Sequence, residues 1–100
     1  MKVAILGASQ DPERYSYKAF KMLKEHGHTP LPVSPNVKEV EGVKSVPTLT
    51  DLDDEIDTLT VYVRPEISSK LRDDILRIKP RRVIFNPGSE NPTLQNELVN

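Results

Sequence analysis

The chain has 100 residues, 36% hydrophobic and 29% charged, with four glycines and nine prolines; this is enough for one compact unit with a modest core, and it excludes a disordered tail or a collagen-like repeat. Fourteen Lys and Arg stand against fifteen Asp and Glu, a formal net charge of -1, so the excess positive charge that general binding to nucleic-acid backbones demands is missing. Cysteine is absent, which removes disulfides, thiolate metal sites and a cysteine nucleophile and fits a reducing, cytoplasmic setting; the apolar run near the start is too short for a signal peptide or a membrane span.

Val3, Ala4, Ile5 and Leu6 form that run, which stops at Gly7 and reads as a strand buried on both faces. Behind the polar stretch SQDPERYS, Ala19, Phe20 and Leu23 recur at helical spacing, with Ser16 placed as N-cap and Gly27 as the stop. The segment TPLPV, residues 29–33, predicts a second strand, in which Pro30 and Pro32 would cost ladder bonds at a central position. Residues 34–52 mix prolines and a glycine with short apolar pieces, which predicts an irregular connection or a binding loop with at most a short strand near Val43. Leu52 and Ile56 then stand one helical turn apart within the acidic DLDDEID.

TLTVYV, residues 58–63, has the β-branched richness of a third strand. Pro65 opens a helix whose expected buried stripe is Ile67, Leu71, Ile75 and Ile78, and Pro80 ends it. Residues 82–85 predict the fourth strand. NPGSENP leads into a last helix carrying Leu94 and Leu98, with Asn91 as N-cap and Pro92 at the first helical position. Alternating strands and helices place the chain in the α/β class, as a Rossmann-like open parallel sheet with helices on both faces. Because the chain stops in or just after a helix, the sheet is expected to lack its last strand, and an edge left open there predicts a homodimer at high concentration.

In such a sheet the ligand crevice lies beyond the carboxyl ends of the strands, where strand order reverses. Four loops matter: residues 7–16, 34–38, 64–66 and 86–90. The first offers Gly7, Ser9, Arg14 and Ser16, a set able to hold phosphate through backbone amides and a helix dipole, and equally the set of a tight turn plus an ordinary cap. The dinucleotide pattern G-x-G-x-x-G is not met, since Ser9 and Pro12 occupy its second and third glycine positions. Ser34 stands where NAD-binding chains carry an acid for the ribose, and Lys38 downstream suits a phosphate on the ribose, as in NADP or coenzyme A, or is simply solvated. Tyr15, Tyr17 and Tyr62 either stack on an adenine or complete a core edge; Asn86, Pro87 and Gly88 either approach a ligand through bare backbone or form a turn. His26 and His28 flank Gly27 at a spacing unsuited to metal, the paired aspartates at 53–54 and 73–74 are adjacent rather than facing, and neither a Ser-His-Asp order nor a Walker loop occurs. No catalytic constellation is expected.

The pieces VAILGASQDPERYS (3–16), PLPVSPNVKEVEGVKSVPTL (30–49), IDTLTVYVRPE (56–66) and RRVIFNPGSEN (81–91) fall in one order over nearly the whole chain. In them the sequence resembles the small coenzyme A-binding proteins whose fold matches the nucleotide-binding domain of the succinyl-CoA synthetase alpha subunit. The first piece is the most specific, with Gly7, Ser9, Pro12, Arg14 and Ser16 at the family's positions. The resemblance implies non-catalytic binding of coenzyme A or an acyl-CoA, with the diphosphate against Gly7, Ala8, Ser9, Arg14 and Ser16 and adenosine near Val33, Ser34, Pro35 and Lys38. Pantetheine would pass Val63, Arg64, Pro65 and Asn86, Pro87, Gly88. Ser34 replaces the family's usual asparagine, and Arg64 brings charge to a loop that is usually apolar. The family's domain normally continues through another glycine-led strand, and the phosphohistidine and grasp domains of the synthetases are absent, so ligation is not implied. Neither nucleic acid nor membrane enters as a partner. The other readings are an NADP-dependent enzyme fragment and a scaffold that has kept the fold and lost its ligand.

Overall fold

Lys2–Leu6 forms β1 at the middle of the sheet, and Val3 to Leu6 are each at most 5% exposed because both of its faces are covered. The structure is a computed structural model and describes residues 1–99. After β1 come α1 (Tyr15–Glu25), β2 (Thr29–Val33), β3 (Glu39–Val40), β4 (Val43–Lys44), β5 (Thr58–Val61), α2 (Pro65–Ser68), α3 (Arg72–Ile78), β6 (Arg82–Phe85) and α4 (Pro92–Val99). Four strands pair in parallel in the order β2-β1-β5-β6, while β3 and β4 form a separate antiparallel hairpin. On one face Ala4, Leu6, Leu59 and Val61 pack with Ile75 of α3 and Leu94 of α4; on the other Ile5 packs with Phe20 of α1 and Val40 of the hairpin. The chain is thus a Rossmann-like open parallel sheet with helices on both faces. No helix of the described residues is long and apolar enough to cross a membrane.

The prolines of β2 are tolerated because β2 is an edge strand. Thr29 N donates to Met1 O at 2.9 Å and Val33 O accepts from Gly7 N at 3.0 Å, so by the two-residue period the nitrogens of Pro30 and Pro32 turn away from β1. On that outer side the Pro32 carbonyl still accepts from Val46 N at 3.1 Å.

Four local expectations change. Ser16 is not the N-cap of α1: Arg14 holds that place without a side-chain cap bond, and Ser16 lies one residue inside the helix, buried. Gly27 does stop the helix, at φ +81, with its N–H on Lys24 O and the His28 N–H on Leu23 O, a Schellman arrangement. The helix expected from Pro65 to Pro80 is broken by a 3₁₀ turn at Ser69–Leu71; this shifts the helical phase, leaving Ile75 1% exposed but Ile67 47%. DLDDEID is not helical beyond a 3₁₀ turn at Leu49–Asp51, where the Thr48 N–H and hydroxyl both donate to Asp51 Oδ2. The short strand near Val43 exists, and its partner Glu39–Val40 went unforeseen because the turn between them is Glu41-Gly42, at φ 48 and 80, rather than the Asn-Gly that advertises such hairpins.

Candidate functional site

The strand order reverses between β1 and β5: the chain passes from β1 out to β2, then returns to β5 and moves out to β6 on the other side. The loops after β1 and β5 therefore diverge and leave a cleft of about 900 Å³ at the carboxyl ends of the strands.

Its floor depends on Gly7. At φ +90, a Cβ on this residue would lie 2.9 Å from Val63 Cγ1 and 3.2 Å from the Tyr62 carbonyl carbon, so only glycine lets the two strand ends meet. Tyr62 N donates to Leu6 O at 2.9 Å, and Gly7 N and Ala8 N both donate to Val33 O. From there a ladder of local bonds feeds the chain into α1: Asp11 N to Ser9 Oγ, Glu13 N to Asp11 Oδ1 and Arg14 N to Asp11 O, each at 3.0 Å. The first intrahelical bond runs from Lys18 N to Arg14 O. The amides of Tyr15, Ser16 and Tyr17 precede it and carry the positive end of the helix dipole.

After β2, Ser34 N donates to Val46 O at 2.9 Å and Asn36 N to Ser34 Oγ at 3.3 Å, which curls the Ser34–Pro35 segment into the cleft wall. Opposite, Pro65 starts α2 as its first helical residue and turns Ile67 and Leu71 toward the cavity. The loop after β6 is held by Asn86, whose Nδ2 donates to Thr60 Oγ1 at 2.7 Å and Val61 O at 2.9 Å, and by Ser89, whose hydroxyl donates to Val61 O at 2.8 Å.

Of the residues expected at a ligand, Gly7, Ala8, Ser9, Arg14 and Ser16 line the cleft, as do Val33, Ser34 and Pro35, Val63 and Arg64, and Pro87 and Gly88. Three do not. Lys38 is exposed beyond the wall, its carbonyl taken by Ser45 N at 2.9 Å; Pro65 sits behind Arg64 as a helix start; and the Asn86 amide is spent on β5. Tyr15 and Tyr62 line the cleft, whereas Tyr17 packs behind it with Ile5 and Phe20. Asn36 and Val37, within the expected 34–38 loop, also line the cleft. Pro47, Thr48 and Leu49 were not singled out from the sequence and reach the wall because Val46 bridges to Val33, while Leu71 serves the core and the wall together and Ile67, which periodicity had assigned to the core, faces the cleft. The charge of the wall is one-sided. Arg14 and Arg64 are its ionised side chains, and no Asp, Glu, His or Lys lies among the lining residues; Asp11 and Glu13 face solvent, with Asp11 Oδ2 4.0 Å from Arg14 Nε.

Comparison with known proteins agrees with the fold. The chain is 35% identical over 65 residues to the uncharacterized protein YneT of Bacillus subtilis, a match covering 65% of this chain and 48% of YneT. It is 37% identical over 62 residues to the alpha subunit of an ADP-forming acetate–CoA ligase of Pyrococcus furiosus, covering 61% of this chain and 14% of that subunit. The matches thus span about half the length of YneT and a small part of the ligase subunit. A solved Thermus thermophilus structure superposes with a TM-score of 0.93 at 30% identity, over 98% of this chain and 75% of that one. The family model described as a CoA binding domain matches residues 1–99, and the chain therefore belongs to the CoA-binding domain family.

Proposed function

We propose that this chain binds coenzyme A or an acyl-CoA in the cleft between the β1 and β5 loops and carries out no chemistry on it. One observation supports the ligand reading above the rest: among the described residues the wall presents two guanidinium groups, from Arg14 and Arg64, and the amino end of α1, with no carboxylate to repel a phosphate. That is a receptor for a phosphorylated ligand. Leu6, Val63, Ile67 and Leu71 form an apolar stretch of the wall that suits the pantetheine arm.

Thermal denaturation tests the reading. A ligand that binds only the folded state adds about 2.7 kcal/mol at one hundred times its dissociation constant, so coenzyme A should raise the melting temperature by roughly 10 °C or more in a domain of this size. No shift at millimolar coenzyme A would favour the ligand-free scaffold. A shift with NADP alone would favour the nucleotide-dependent enzyme.

A further inference from the structure

Glu41 occupies the first turn position of the β3–β4 hairpin at φ 48, a conformation that Gly or Asn adopts at less cost. Turn chemistry does not call for glutamate there. Its side chain supplies the reason, because the carboxylate accepts the Tyr17 hydroxyl of α1 and lies 3.9 Å from Lys21 Nζ, one turn further along the same helix. Lys24 Nζ reaches the Glu41 carbonyl at 3.5 Å. A second tie joins the base of the hairpin to the loop after β1, where Gln10 Nε2 donates to Glu39 O at 2.6 Å. On its other side the hairpin continues into the loop after β2, through Ser45 N to Lys38 O and Ser34 N to Val46 O. The hairpin is therefore bonded at once to the segment expected at the diphosphate and to the segment expected at the adenosine. Glu41 itself is outside the cleft wall.

We propose that Glu41 is a positioning residue: by clasping α1 it sets the spacing of the two loops that grip a coenzyme A-type ligand, and so controls affinity without touching the ligand. This rests on the coenzyme A reading of the cleft, and the experiment separates the two. Glu41→Gly removes the clasp while relieving the backbone. Its ligand-free melting temperature should equal or exceed that of the wild type while its dissociation constant for coenzyme A, read by calorimetry, rises about 3- to 10-fold. Glu41→Gln, whose amide oxygen still accepts the Tyr17 hydroxyl, should stay within about two-fold of wild type. Tyr17→Phe, which lacks the backbone relief, should raise the dissociation constant to a similar extent as Glu41→Gly, and the double variant should bind no more weakly than either, as for two halves of one contact.

In the ligand-free protein, the Ser34, Asn36 and Ser45 amides should exchange with solvent faster in Glu41→Gly, with the amides of β1 and β5 unchanged. Unaltered affinity, or affinity that falls only together with melting temperature, would overturn the clasp; so would unaltered exchange, whatever the ligand does. Failure of the wild type to bind coenzyme A would instead overturn the functional reading, with the exchange measurement still deciding the clasp.

Discussion

Asn91 joins its own helix to the Pro65 carbonyl: its Oδ1 accepts the Leu94 N–H at 3.1 Å as an N-cap, and its Nδ2 donates to Pro65 O at 3.2 Å and to the Ser68 and Ser69 hydroxyls at 2.9 Å. The residue is 5% exposed, so water does not replace these bonds. Asn91→Ala should cost about 2 to 3 kcal/mol, from a lost cap and the buried Ser68 hydroxyl oxygen left without its donor. Asn91→Ser keeps a capping oxygen and should cost less, about 1 to 2 kcal/mol. Urea denaturation measures both, and a loss below about 1 kcal/mol for the alanine variant would show that the bridge contributes little.

Gly7→Ala is expected to be more damaging than an ordinary glycine substitution. The new methyl meets the Tyr62 backbone as well as the Val63 side chain, at a φ that L-residues avoid, and the two effects together should cost about 2 kcal/mol or more. The melting temperature should fall by roughly 10 °C. Gly88→Ala shares a φ of +90 but finds nothing within 4 Å of the added carbon, so it should cost clearly less. Equal losses would mean that φ alone matters at position 7.

Arg14→Ala should weaken coenzyme A binding roughly 10- to 150-fold, as removal of a charge-assisted bond to phosphate does. Arg82→Ala should leave binding near wild type. Arg82 pairs in register with Thr58, at the amino end of the strands, and donates to the Thr58 hydroxyl at 3.2 Å, far from the loops that form the cleft. Titration calorimetry on both variants is the check, and equal effects would move the site elsewhere.

Tyr17 should titrate above the ordinary tyrosine value of 10.0, first because its hydroxyl donates to Glu41, then through desolvation and the nearby negative charge. A raised value means that the folded protein favours the neutral phenol. The contribution of this contact is therefore complete below about pH 10 and is lost as pH rises through the raised value. Phenolate absorbance of wild type minus Tyr17→Phe isolates the transition, and Glu41→Gly should move it back down. A Tyr17 transition at or below 10 in the wild type would contradict the contact.

Where structure is decided within a turn or a strand, the residues announce it. VAIL stopping at glycine reads as a strand buried on both faces, and Asn91 before Pro92 satisfies the amino end of α4 by its own chemistry. The alternation of such elements was enough to place the parallel sheet and the loops at its carboxyl end. Ile67 shows the limit: its spacing from Leu71 and Ile75 is ideal, yet the 3₁₀ turn between α2 and α3 rotates it out of the core and into the cleft wall. Asn86 and Lys38 have the right chemistry for a ligand, but Asn86 is held by Thr60 and Val61 and Lys38 stands outside the wall. These outcomes depend on which strands are neighbours. Side-chain period and capping act over a few residues, whereas the cleft exists because parallel register brings Gly7 against Val63 and Val33 against Val46, contacts between distant positions that no local pattern encodes.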